Sequence, residues 1–230
     1  MKNIVNSLIK RKIITAFDSW SPSYSNDVIP KLVKRGYGYD KLAEKIVTFL
    51  SPPQYAEVLE FGVGSGVLGQ AMFNLRPDLV IIGIDISRGM LSQARKISAY
   101  QHLIQCDAER IPLISQRYQY AYSAFMMHSL PNLQSFLNET RRIMQTQARI
   151  GLIDLFKFSR RHILSKLIDN IHSYRYEHGA PSNYHTSEEF LQVLKKSNII
   201  VTEQSTLDAN ETISGSSAGA MEHYFFGLSV

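Results

Sequence analysis

Cysteine occurs once in the 230 residues, at Cys106, so neither an internal disulfide nor a cysteine-rich metal site can be built. No carboxylate or cysteine accompanies the histidines at ligand spacing either, and no metal is expected. Long apolar runs are missing: none reaches the roughly 18 residues of a membrane-spanning helix. Met1–Trp20 lacks the uninterrupted apolar core and small-residue cleavage site of a secretory signal. With a single thiol, these absences read as a cytoplasmic protein. Internal repeats, low-complexity tracts and long linkers are absent as well.

What is present is the composition of a folded globular chain, 44% hydrophobic and 20% charged. The length fits one domain with a full core, or one domain with a small cap. Charge is uneven. Residues 1–52 hold nine basic and four acidic side chains, so the whole formal excess of +5 falls there and the remainder is neutral. Such a segment fits nucleic acid or an anionic surface. It fits better a helix that covers a site with its apolar side and leaves its lysines in water.

Residues 1–17 place Ile4, Val5, Leu8, Ile9, Ile13, Ile14 and Phe17 near helical spacing. Ser19–Ser25 reads as a break, and a second helix is expected over Tyr39–Leu50, stopped by Pro52-Pro53. Short apolar runs then alternate with helical patterns. The predicted strands are Glu57–Phe61, Val80–Asp85, His102–Cys106, Tyr118–Ala124 and Arg149–Leu155. The predicted helices between them are Val67–Leu75, Ser87–Ala99 and Leu133–Gln145. That alternation implies an α/β fold, doubly wound, with helices on both faces of a mostly parallel sheet. A His/Tyr-rich helical segment to about Tyr184, a capped helix from Thr186 and late strands at Ile199–Gln204 and Glu222–Leu228 complete the chain.

One loop carries the most chemistry. Val58-Leu59-Glu60-Phe61-Gly62-Val63-Gly64-Ser65-Gly66 runs off a strand into a helix, where glycines let a ligand reach main-chain N–H groups. Gly64–Gly69 also spells the dinucleotide fingerprint G-x-G-x-x-G, so an NAD-dependent oxidoreductase stays open. Glu60 favours another ligand, because a carboxylate there repels pyrophosphate and accepts from an ammonium group. Asp85, ending the next strand, suits ribose hydroxyls. Asp107, ending the third, could reach an adenine amino group.

On those three segments the chain resembles the class I S-adenosylmethionine-dependent methyltransferases. The style is that of the small-molecule enzymes of ubiquinone and menaquinone biosynthesis. The resemblance runs through Glu60–Gly66, Gly83–Leu91 and Cys106–Pro112, and continues more weakly through Ser123–Asn132 and Phe136–Arg142. It implies a seven-stranded Rossmann-like sheet with the last strand antiparallel, an N-terminal helical lid (1–52), a cofactor-binding domain (53–230) and a helical cap at about 157–185. It implies S-adenosyl-L-methionine as cofactor and S-adenosyl-L-homocysteine as product. Tyr24, Glu60, Gly62, Gly64, Gly66, Asp85, Ile86, Asp107, Ala108 and Ser123 would hold that cofactor. The sequence departs from the family pattern at Gln119, where an acidic residue is usual, and at Thr146-Gln147-Ala148, where Pro-Gly-Gly is usual.

The expected reaction is O- or C-methylation of a small molecule. His128, after the fourth strand, is a general base, an acceptor orienter or a loop residue packing near the cofactor. Trp20, Tyr174, His178 and Tyr184 are candidate acceptor contacts from the lid and cap. The Asn/Asp-Pro-Pro-aromatic element of nucleobase amino-methyltransferases is absent from Ser123–Pro131. An rRNA or tRNA methyltransferase, or a chain that binds the cofactor without methylating, remain the alternatives.

Overall fold

A computed structural model describes residues 2–34, 36–157, 178–207 and 221–230. The sequence expectation for Tyr174, and with it most of the cap, lies outside the described residues.

Three helices open the chain: α1 (Lys2–Trp20), α2 (Tyr24–Lys34) and α3 (Tyr39–Leu50). The predicted break shrinks to a turn at 21–23, and α2 is an element the sequence reading missed. Its serines and Pro30 argue locally against a helix. A tertiary device overrides them, with Asp27 Oδ2 accepting from Trp20 Nε1 at 2.7 Å and from Ser23 Oγ at 3.0 Å. α3 ends as its residues dictate, with Ser51 left-handed (φ 46°) ahead of the two prolines.

The α/β core follows as β1 (Glu57–Phe61), α4 (Val67–Leu75), β2 (Val80–Asp85), α5 (Arg88–Ala94), β3 (Tyr100–Gln105) and β4 (Tyr118–Ala124). After β4 come a 3-10 turn (Met127–Ser129), α6 (Leu133–Ile143), β5 (Met144–Lys157), α7 (Ser187–Lys196), β6 (Ile200–Thr206) and β7 (Met221–Ser229). α7 begins with the expected capping box. Thr186 Oγ1 accepts from the Glu189 N–H, and Glu189 accepts in return from the Thr186 N–H. α5 is shorter than predicted because two tight turns at Lys96 and Ile97 end it and lay Ile97 against the glycine loop.

The seven strands form one sheet in the order β3-β2-β1-β4-β5-β7-β6, with β7 antiparallel to both β5 and β6. Central strands such as β1 are buried on both faces, as their near-continuous Val, Leu and Phe composition requires. α3 and α4 cover one face, where Ile46, Leu50, Met72, Tyr122 and Phe225 pack. α6 and α7 cover the other with Phe136, Leu137, Phe190 and Leu194. The 1–52 segment therefore divides. α3 belongs to the sheet's core, and only α1 and α2 are left to lie over the strand ends. Strand order reverses between the parallel neighbours β1 and β4, so the crevice beyond their C-terminal ends is the position where open α/β sheets bind ligands.

Candidate functional site

At that crevice lies a cleft. Its floor is the β1–α4 loop, where Gly62, Gly64 and Gly66 all take left-handed φ values of 70°, 54° and 88°. A Cβ on Gly62 would stand 2.6 Å from Met126, so only glycine allows the loop and Met126 to meet in the cleft. Gly62 and Gly64 line the wall; Gly66, expected there too, instead caps α4 and packs against Ala94 and Ile97.

The three acids predicted at strand ends all reach this cleft. Glu60 is buried, and its Oε2 accepts two phenolic protons at 2.9 Å, from Tyr100 on β3 and Tyr122 on β4. Burial pushes its carboxyl up to about 8, against the pull of those two donors. Tyr100 gets there through Gly69, whose missing side chain leaves room: a Cβ would sit 2.1 Å from its hydroxyl. Asp85 accepts from the Gly64 and Ser87 N–H groups at 2.8 Å each, while burial raises its carboxyl above the ordinary value. Asp107 accepts from the Glu109 N–H and meets Lys10 of α1 at 2.5 Å; Lys10 also pairs with Glu109 at 2.7 Å. Burial works against the Lys10 ammonium, but the two carboxylates outweigh it and raise its pKa. Cys106 is no nucleophile here, since burial beside Asp107 and Asp85 pushes its thiol up to about 12.

α1 and α2 roof the cleft with Ile13, Phe17 and Tyr24. The roof is fastened by contacts that sequence reading did not find. Asp18 accepts from Ser87 Oγ at 2.5 Å and from the Gly89 N–H at 2.8 Å, so a side chain of α1 satisfies the N-terminus of α5. No local pattern marks Asp18 or Lys10 for these roles, because their partners lie 69 and 97 residues away.

Tyr24, Ile86 and Ala108 line the cleft as expected, and Tyr39, Phe125 and Met126 join them. Several candidates take other places. Ser123 is buried in β4 with its hydroxyl given to the Phe61 carbonyl at 2.8 Å, so its proton has no ligand to serve. Trp20 is buried between His178, stacked at 4.4 Å, and Tyr24, with its N–H on Asp27; it supports the roof and does not face the cleft. His178 is its outer neighbour, and Tyr184 stacks on His128 at 5.1 Å; neither lines the cleft. His128 is itself behind the wall, buried, with Nδ1 2.5 Å from Asp154 Oδ1. Asp154 also accepts the Met127 N–H at 2.6 Å. This pairing holds the turn after β4 and leaves Ser129, Leu130 and Pro131 as the cleft surface. A base at His128 does not fit that position.

The donor set suits one kind of ligand. A loop that a Cβ on Gly62 would block lies beside three carboxylates, and Ile86 and Ala108 add apolar lining, so the residues present fit an adenosyl group bearing a cationic amino acid. A family model described as a methyltransferase domain matches residues 58–147. Over those residues the chain is a methyltransferase domain. The methyltransferase is 21% identical to the demethylmenaquinone methyltransferase of Thermotoga maritima over 81% of its own length and 87% of that protein's. It is 26% identical to the malonyl-[acyl-carrier protein] O-methyltransferase of Enterobacter lignolyticus, over 59% of its length and half of the relative's. Its fold matches the geranyl diphosphate C-methyltransferase of Streptomyces coelicolor, solved with Mg2+, geranyl diphosphate and S-adenosyl-L-homocysteine. There the TM-score is 0.67 at 14% identity, over 82% of this chain and 78% of that one. The relatives named here act on small molecules, and a second geranyl diphosphate methyltransferase of the same fold was solved in complex with S-adenosylmethionine. Among the described residues no helix is long and apolar enough to cross a membrane, and no group of side chains could hold a metal ion.

Proposed function

We propose that the methyltransferase O- or C-methylates a small, largely apolar acceptor enclosed beneath a lid formed by α1 and α2. The observation that carries this reading is the roofed cleft itself: acids and glycines on the floor, Ile13, Phe17, Tyr24, Phe125 and Leu130 facing them. Glu60 would take the ammonium of the cofactor's amino acid, Asp85 its ribose hydroxyls, Ile86 and Ala108 the faces of its adenine, and Asp107 the adenine amino edge. When bound, S-adenosylmethionine supplies an electrophilic methyl carbon attached to a sulfonium. The chain contributes positioning and a dry wall, which together can account for much of the acceleration.

Among the described residues the wall offers no ready base. Glu60 is tied to two tyrosines, and burial beside Tyr24 holds the Tyr39 phenol well above its ordinary value. The wall suits an acceptor that arrives as its own nucleophile, such as a carboxylate, a phenolate or an enolate already formed. The RNA alternative loses support because Lys10 and Lys45, two of the N-terminal cations, are paired with Asp107, Glu109 and Glu203 of the core. The test is transfer of an isotope-labelled methyl group to fractionated cell extract. Label in organic-soluble small molecules is expected. Label in RNA would overturn the reading, as would calorimetry showing NAD bound in preference to S-adenosylhomocysteine.

A further inference from the structure

Buried hydroxyls in folded proteins nearly always have a partner, so each exception asks for an explanation. Ser129 is such an exception. It is 9% exposed, its Oγ is buried without a hydrogen-bond partner, and it forms part of the cleft wall. Thr140 and Ser205, also unpartnered, do not line the cleft.

The surroundings of Ser129 are fixed from several directions. Its own N–H donates to the Met126 carbonyl at 2.9 Å. Asp154 holds the two preceding residues, through the Met127 N–H and His128 Nδ1. His128 in turn stacks on Tyr184, and its carbonyl accepts from the Asn183 N–H at 2.5 Å. The backbone around Ser129 is held from both sides, yet the hydroxyl of this cleft-lining residue is left over. Alanine would fill this place without burying an unpaired hydroxyl. Its neighbours on the wall, Phe125, Met126 and Leu130, are apolar, so a polar contact here is isolated and directional.

We propose that Ser129 is an acceptor-binding residue: its Oγ hydrogen-bonds an oxygen of the methyl acceptor, which is therefore an apolar molecule bearing a hydroxyl, carbonyl or carboxylate group. This rests on the methyl-transfer reading above and narrows it. The bond selects the acceptor, because a molecule lacking that oxygen leaves the hydroxyl buried and unpaired as it is now.

The experiment loads the full-length protein with S-adenosylhomocysteine and titrates it with 1-naphthol and with naphthalene, two probes of similar shape that differ by one hydroxyl. Wild type is expected to bind 1-naphthol about tenfold more tightly. Ser129→Ala should abolish that preference, Ser129→Thr should keep it, and neither should change affinity for S-adenosylhomocysteine. Ser129→Ala should also unfold at the same temperature as wild type or higher. The proposal is overturned by a wild type that binds the probes equally or not at all, or by a preference that survives in Ser129→Ala. A melting temperature lowered by more than about 3 °C in that variant would overturn it too, since it would reveal a structural partner for the hydroxyl. Failure of wild type to bind S-adenosylhomocysteine would instead sink the methyl-transfer reading, and the proposal with it.

Discussion

Replacing Glu60 by glutamine should make the protein more stable above neutrality and leave it nearly unchanged at pH 5. Glu60 is buried at the end of β1 and its carboxyl titrates at about 8, chiefly because burial disfavours the anion. The unfolded chain ionises the same group near its ordinary value of 4.5. Below that value both states hold the proton, so the folded state loses nothing. Between 4.5 and 8 the unfolded chain releases a proton that the folded chain keeps, and stability falls as pH rises. The gap corresponds to as much as about 5 kcal/mol at 1.36 kcal/mol per pH unit, fully lost once pH passes about 8. Glu60→Gln keeps the shape and an acceptor oxygen for Tyr100 and Tyr122 but has no proton to lose. Urea denaturation from pH 5 to pH 8.5 should give converging stabilities at the acid end and a variant more stable by several kcal/mol at the alkaline end. A ligand ammonium group should reverse the balance: wild type should bind S-adenosylhomocysteine more tightly as pH rises from 6 to 8, and E60Q should not. Parallel pH profiles for the two proteins would refute the account.

Three further outcomes are expected. Gly69→Ala should expel Tyr100 from Glu60, costing about 1–3 kcal/mol of stability by overpacking and weakening cofactor affinity; calorimetry with unaltered affinity would contradict this. Asp18→Ala removes the partner of Ser87 and of the Gly89 N–H, and should cost about 1–2 kcal/mol while loosening α1. Unchanged hydrogen-exchange protection in α1 would speak against the roof attachment. His128→Ala should lower stability by about 3 kcal/mol by stranding buried Asp154, and His128→Asn should restore much of it. The pH dependence of turnover should keep its shape in His128→Asn; loss of one limb would make His128 the base after all.

Much of this protein was legible in one dimension. The strands from Glu57, Val80 and Tyr118 lie where their apolar runs place them, since a strand buried on both faces has little freedom in composition. The Thr186 capping box and the glycine turn are local devices whose partners lie within a few residues. The errors fell where partners are distant. α2 was missed because its stop signals are local while Asp27, Trp20 and His178 settle it in space. Ser123 and His128 stand on the correct strand end, but a strand alternates faces and a turn has an inside, and the pattern alone does not say which side meets the ligand.

The amino-acid sequence determined the α/β class, the glycine turn after β1 and the three carboxylates at successive strand ends. Those follow from hydrophobic period, left-handed turns and spacing, all properties of neighbouring residues. Only the tertiary structure decided what the carboxylates touch: Tyr100 and Tyr122 on Glu60, Lys10 on Asp107. It also decided which side chains wall the cleft and which stand behind it. Those pairings join residues 40 to 97 positions apart, and only the closing of the sheet and the docking of α1 bring them within hydrogen-bond reach.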